Sequence, residues 1–227
     1  MNKIIIESDK NLILNEELYE IEIIKDCNLN ILINNKDVKI ILLIKNSLVN
    51  INLVVNKDNN LIINSLGIDS SINYNVDINE NSNIFIVDSI FSKIDSINNI
   101  KLNHKGNNSI VKFYTNGINI NNKKMYFYLD GIVPKNSCGI YLEENSKIIN
   151  ISDGDSKIIP NLIIDTKEVS ANHSAFIGTL SNNDLSYLMS RGIDKENANK
   201  LLIKSILLSK MELNTDKFIE EIERGII

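Results

Sequence analysis

A chain of 227 residues, 43% apolar and 23% charged, can close one substantial core, and a net charge of −5 with only two arginines, Arg191 and Arg224, argues against nucleic-acid binding, which needs clustered cations against phosphate. Cys27 and Cys138 lie far apart without Cys or His neighbours at metal-ligand spacing, which argues against a structural zinc site within the chain and fits reduced thiols in a cytoplasmic protein. The opening MNKIIIESDK has too short an apolar run for a secretory leader, and the longest strongly apolar run, Ile40 to Ile44, is far short of a membrane span.

From residue 3 to about 165 the chain reads as short strands in succession. Candidate strands run from Leu29 to Ile33, Val38 to Ile44, Val49 to Val55, Ser82 to Phe91, Ser109 to Thr115 and Met125 to Val133. The stretch Ile72 to Asn79 alternates apolar and polar residues strictly, which puts Ile72, Tyr74, Val76 and Ile78 on one buried face. Asparagine is abundant, yet apolar residues are interleaved with it, so the text reads as folded. The turns have almost no proline and little glycine. Asn and Asp can replace them, because their side chains bond nearby backbone and tolerate positive φ. Evenly spaced strands without intervening helices or two-residue hairpin turns point to a parallel β-helix over a sandwich or barrel. No strict six-residue repeat is visible.

After Gly178 the period changes to that of helices. Ser181 is placed to cap a first helix with Leu185, Leu188 and Met189 on one face, and Gly192 to end it. Asp194 caps a second, carrying Ala198, Leu201, Leu202, Ile206 and Leu208 at helical spacing. A third starts near Asn214 or Thr215, buries Phe218, Ile219 and Ile222, and ends at Gly225. The chain therefore divides into a β core over 1–178 and a helical tail over 179–227, too small to stand without a surface to pack on.

The junction carries a resemblance. Pro160-Asn161-Leu162-Ile163-Ile164 is similar to the Pro-containing strand that closes the β-helix in SufB/SufD scaffold proteins of iron–sulfur cluster assembly. His173-Ser174-Ala175 and Gly178 resemble the histidine motif that follows, and Tyr187-Leu188-Met189-Ser190-Arg191-Gly192-Ile193 the end of the next helix. Ala198 to Leu202 matches the start of the helix after that. His104-Lys105-Gly106-Asn107-Asn108-Ser109, Gly117 and Gly131 add a weaker match upstream. SufB-type proteins have a Cys where Ile164 stands and glutamates beside the histidine where Asn172 and Ser174 stand, so the chain looks SufD-like, and shortened.

The resemblance implies a parallel, right-handed β-helix with a short C-terminal α-helical subdomain. It implies a non-catalytic scaffold subunit that pairs through its β-helix with a SufB-like paralog or an identical subunit. A SufC-like ABC ATPase would bind the C-terminal helices, with Tyr187, Arg191, Gly192, Ile193, Leu201 and Leu202 as the candidate contacts. ATP would be bound by that partner only, since no phosphate-binding loop G-x-x-x-x-G-K-[ST] occurs here. His173 is the candidate ligand of iron or of a transient cluster that the partner could share, because neutral imidazole ligates iron well. The alternative for His173, and for His104, is a buried histidine hydrogen-bonded within the fold. Arg191, Gly192, Tyr187 and Ile193 also suit a local helix end with a small core. Cys27 and Cys138 read as small buried hydrophobes.

Rival readings differ in class. A polysaccharide-active β-helix would need clustered acids and bases with a catalytic cation, yet the β region has no arginine and only one adjacent acidic pair, Glu143-Glu144. A structural or self-assembling solenoid would use the helical tail as an end cap. A homodimeric family member would have to supply every ligand from two histidines and two cysteines.

Overall fold

The computed structural model describes residues 2–226, with side chains through 224. Met1 and Ile227, the outer limits of the two regions read from the sequence, lie outside the described residues. The strands, in chain order, are β1 (Asn2–Ile6), β2 (Lys10–Leu14), β3 (Leu18–Ile23), β4 (Cys27–Ile33), β5 (Asp37–Lys45), β6 (Leu48–Val55), β7 (Asn60–Ile68), β8 (Ser71–Ile78), β9 (Asn83–Ser92), β10 (Ser96–His104), β11 (Ile110–Asn119), β12 (Lys124–Val133), β13 (Cys138–Asn150), β14 (Asp155–Ile164) and β15 (Glu168–Thr179). Three helices follow: α1 (Asn182–Ser190), α2 (Lys195–Leu207) and α3 (Asp216–Ile226).

Odd-numbered strands stack into one sheet, β1 to β15, and even-numbered strands into a second, β2 to β14. Every pairing is parallel, and each rung contributes one strand to each sheet. This is the expected parallel β-helix. Inward residues of both sheets fill a continuous apolar core, including Ile72, Tyr74, Val76 and Ile78 as the alternation predicts. The rungs lengthen along the chain. Register partners are 17 residues apart between Asn2 and Tyr19, and 31 apart between Thr115 and Ser146.

Asparagine does two jobs here. Asn46, Asn81, Asn108, Asn121, Asn122 and Asn136, with Asp58 and Asp69, hold positive φ at the turns, as the scarcity of glycine requires. On the outer face of the second sheet, Asn50 donates to Asn28, Asn73 to Asn50 and Asn99 to Asn73, joining successive rungs. Pro160 sits on β14, the last strand of its sheet, where its missing N–H costs the ladder nothing. Cys27 is buried, but Cys138 is only half-buried, because it opens β13 beside a turn.

The helices do not cap the solenoid's end. Ile203 and Leu207 of α2, with Phe218 and Ile222 of α3, pack on the outer face of the first sheet against Ile41, Leu43, Leu66, Phe91, Ile118 and Ile149. Lys217 bridges Glu20 and Glu22, and Lys45 bridges Glu22 and Glu221, so charges rim this seam. The capping expectation fails because the first sheet presents a second apolar face outward, and the amphipathic tail buries more by lying on it. The face expected for α2 shifts for the same reason: Ala198 is buried, but Ile203 and Leu207 make the seam and Leu201 is exposed. The helix α3 runs through Gly225 to Ile226 rather than stopping at the glycine.

Candidate functional site

The last rung, β14 with β15, ends both sheets, so its outer strand edges have no neighbour among the described residues. Ile159, Ile163, Phe176 and Ile177 are exposed there. A flat edge with apolar side chains is the form of sheet that invites pairing with another chain.

The strand β13, one rung in, sends Ile140, Leu142, Glu144, Ser146 and Ile148 to the core. Glu144 breaks the apolar series. Its side chain is 1% exposed, and neither carboxylate oxygen has a hydrogen-bond partner. Gly131 on β12 makes room for it: a Cβ there would lie 2.8 Å from Glu144 Oε1 and closer still to Leu142. Burial above all, then the charge of Asp130, pushes the Glu144 carboxyl up to about 7.

His173 is the register partner of Glu144 on β15. Neighbours in parallel register project from the same side of the sheet, about 4.8 Å apart between strands. His173 therefore extends the inward column that Glu144 occupies, at the rung where nothing stacks further, and it is exposed rather than buried. The reading of His173 as a buried, structural histidine does not hold. His104 does fit that reading: it is 1% exposed, its Nδ1 lies 2.8 Å from Ser109 Oγ, and burial pushes its pKa down to about 4, so it stays neutral. Ile164, at the position of the family cysteine, ends β14 half-buried and offers no thiolate.

A second column runs beside this one. Ser65, Asp88, Thr115 and Ser146 are register neighbours on β7, β9, β11 and β13, all buried. Thr115 Oγ1 donates to Ser146 Oγ at 2.7 Å, and Tyr74 donates from across the core to Asp88 at 3.5 Å. Burial pushes the Asp88 carboxyl up to about 7. Sequence reading missed Glu144 and Asp88. The signal was available in the phase: both stand at positions where the alternation demands an apolar residue.

The six docking candidates fall on the α1–α2 hairpin. Ser181 caps α1 by accepting from the Asp184 amide, and Asp194 caps α2 by accepting from Asn197. Between them, Gly192 has φ +86°, its N–H donates to Met189 O, and Ile193 N–H donates to Leu188 O. These paired bonds close the helix end and turn the chain into α2. The Arg191 guanidinium lies 5.3 Å from the Tyr187 ring centroid. Tyr187 is 59%, Met189 46% and Leu201 43% exposed, while Leu202 and Ile193 are half-buried. The hairpin thus leaves an apolar and cationic surface open, and His173 is not part of it.

The SufBD core domain model of the SUF system for FeS cluster assembly matches residues 93–206, half of the chain. The chain belongs to the SufB/SufD family. The matched span of this SufB/SufD chain runs from the start of β10 nearly to the end of α2, and it contains Glu144, His173 and all six hairpin residues. The iron-sulfur cluster assembly protein SufD of Bacillus subtilis (strain 168) is 41% identical over 68 residues, which cover 29% of this chain and 15% of that protein. Among the described residues no helix is long and apolar enough to cross a membrane, and no group of three or more His, Cys, Asp or Glu side chains could hold a metal ion.

Proposed function

We propose that this chain is a scaffold subunit in the SUF assembly of iron–sulfur clusters, working through two separate surfaces. The last rung of the solenoid pairs with a SufB-like paralog or a second copy. The α1–α2 hairpin receives a SufC-like ABC ATPase, and ATP is bound and turned over by that partner alone. Iron or a nascent cluster is cargo held transiently near His173, at the junction between paired chains. The helical tail, 179–227, serves as the docking unit and the β-helix as the pairing unit.

The observation that carries this reading is the placement of the family-matched span: it brings an exposed histidine, two unpaired strand edges and an exposed helical hairpin together at the thick end of one molecule. An ATPase docked on the hairpin could pull on the solenoid through the α2 seam, since Ile203 and Leu207 bind that helix to the first sheet.

Co-purification with the SufC-type ATPase of the same organism tests it. Removing the tail would bare the apolar seam, so surface substitutions are the cleaner probe. Leu201→Asp and Arg191→Glu should abolish co-purification and leave the melting temperature within a few degrees of wild type. Failure of the folded, unaltered chain to bind the ATPase would reject the scaffold role and favour a structural solenoid.

A further inference from the structure

We propose that Asn64 and Ser89, on the outer face of the first sheet, are positioning residues: they form a polar latch that admits one seating of α2 and so fixes where the α1–α2 hairpin stands on the solenoid. The tail is held by an apolar seam, yet three polar side chains are sealed beside it. Asn64 and Ser89 are 0% exposed and Asn116 is 8% exposed. They belong to β7, β9 and β11, and their partners are the end of α2 and the linker that joins it to α3. Ser89 Oγ donates to Leu207 O at 2.5 Å and accepts from Asn116 Nδ2 at 3.4 Å. The amide oxygen of Asn64 accepts from Leu213 N–H at 2.8 Å and from Glu212 N–H at 3.3 Å, the orientation that those two donors require.

Leu207 O is one of the carbonyls that a helix end leaves without an intrahelical partner. Glu212 and Leu213 lie in the non-helical linker, so no ladder engages their N–H groups. All three groups find their partners on the sheet, and at one position only. An apolar seam does not discriminate in this way, because hydrophobic contact is non-directional. Ala198, Leu201, Leu202, Ile203, Ile206 and Leu207 spread over several faces of α2, so other seatings would bury apolar surface too. Advancing the helix by one residue turns it ~100°, and sliding it by one turn moves it ~5.4 Å. Either change would part Leu207 O from Ser89 and leave buried polar groups on the sheet unpaired, which costs more than the bond itself contributes. Buried polar groups of this kind select one register among several that packing alone would accept. The bonded turn at Gly192 ties α1 to α2, so a rotated α2 would carry Tyr187 and Arg191 to another side. The latch thus sets the direction in which the hairpin faces. That use rests on the scaffold reading, whereas the latch itself does not.

Pulsed electron–electron double resonance on the full chain tests the latch. Spin labels go on the native, half-buried Cys138 and on Ser190→Cys, an exposed position that ends α1 and lies outside the six docking candidates. Labelled chain is diluted into unlabelled chain, so that pairing adds no distances. The unaltered latch should give one narrow distance. Asn64→Leu with Ser89→Ala should add a second distance holding ~10% or more of the population, because losing several such bonds lifts a minor seating of ~0.1% by roughly 100-fold. Ile203→Val, which trims the seam without touching the latch, should lower the melting temperature and keep the single distance. Circular dichroism confirms the fold of each variant, and if the double variant fails to fold, Ser89→Ala alone decides by the same readout. A folded latch variant that keeps the single narrow distance overturns the proposal. So does an Ile203→Val chain whose distances spread as widely as those of the latch variant, since Asn64 and Ser89 would then be packing and nothing more. The labels report the seating without the ATPase, whereas the scaffold reading stands or falls on co-purification, so failure of one is distinguishable from failure of the other.

Discussion

Two buried acids set the pH behaviour of this molecule. Asp88 and Glu144 both hold their protons to about pH 7 in the folded state, chiefly through burial, whereas unfolded carboxyls release theirs near pH 4. Between those values the folded chain binds more protons than the unfolded one, so stability must fall as pH rises from about 4 to about 7 and level off above that. Thermal melts from pH 5 to 8 should show this decline. Asp88→Asn should reduce the decline, and Asp88→Asn with Glu144→Gln should remove it, leaving the opposite rise up to about pH 6.5 that buried, neutral His104 contributes; a decline that persists unchanged in the double variant would show that neither acid is protonated in the fold. The sequence hid both acids in different ways. Glu144 sits beside Glu143 as an adjacent acidic pair, although Glu143 points outward and is engaged by Tyr114 and Tyr141 while Glu144 points inward. Asp88 stands between the inward residues Ile84, Ile86 and Ile90 of its strand. Only strict counting of the two-residue period separates these positions from surface charge.

The helices show which local signals survive tertiary packing. Ser181, Asp194 and Gly192 do what their residue types dictate, because caps are satisfied by atoms two or three residues away. Gly192→Ala should cost about 1–2 kcal/mol from positive φ alone, as a Cβ there would meet no atom within 4 Å; a melt showing no loss would mean the turn relaxes. The buried face of α2 was less legible, because several phases of its leucines and isoleucines are equally apolar. The outer face of the first sheet decides among them, and nothing in the helix itself announces that face. For α3 the seam and its charged rim can be weighed against each other. Phe218→Ala should cost about 3–5 kcal/mol by leaving a cavity among Leu43, Leu66 and their neighbours. Lys217→Met, which removes two partly exposed ion pairs, should cost under about 1 kcal/mol, with a difference that shrinks in high salt. Chemical denaturation of both variants in low and high salt separates the two contributions.

At the scale of the whole molecule, the parallel β-helix was legible because alternation repeats in nearly every strand and the Asn and Asp turns recur between them. The missing strict repeat has a plain cause: rungs whose register spacing ranges from 17 to 31 residues cannot produce a fixed period. The side placement of the tail was not legible, since it depends on an outward apolar face that only the assembled sheet creates. The open last rung gives a final test at this scale. Phe176→Lys with Ile159→Lys should disfavour pairing with a second chain, and sedimentation should show a shift toward monomer; a self-association or paralog pairing that persists unchanged would place the contact elsewhere.

The growth of the rungs also divides the stack energetically. In a stack, each layer is held by the layers next to it, so stability accumulates by nearest-neighbour steps. Glu144, the histidine and the hairpin follow the widest layers, while the narrow ones meet the tail, among the described residues, through Glu20, Glu22, Ile41, Leu43 and Lys45. Removing a layer at the narrow end should therefore cost a modest, roughly uniform amount of stability and leave the packing of the wide layers unchanged.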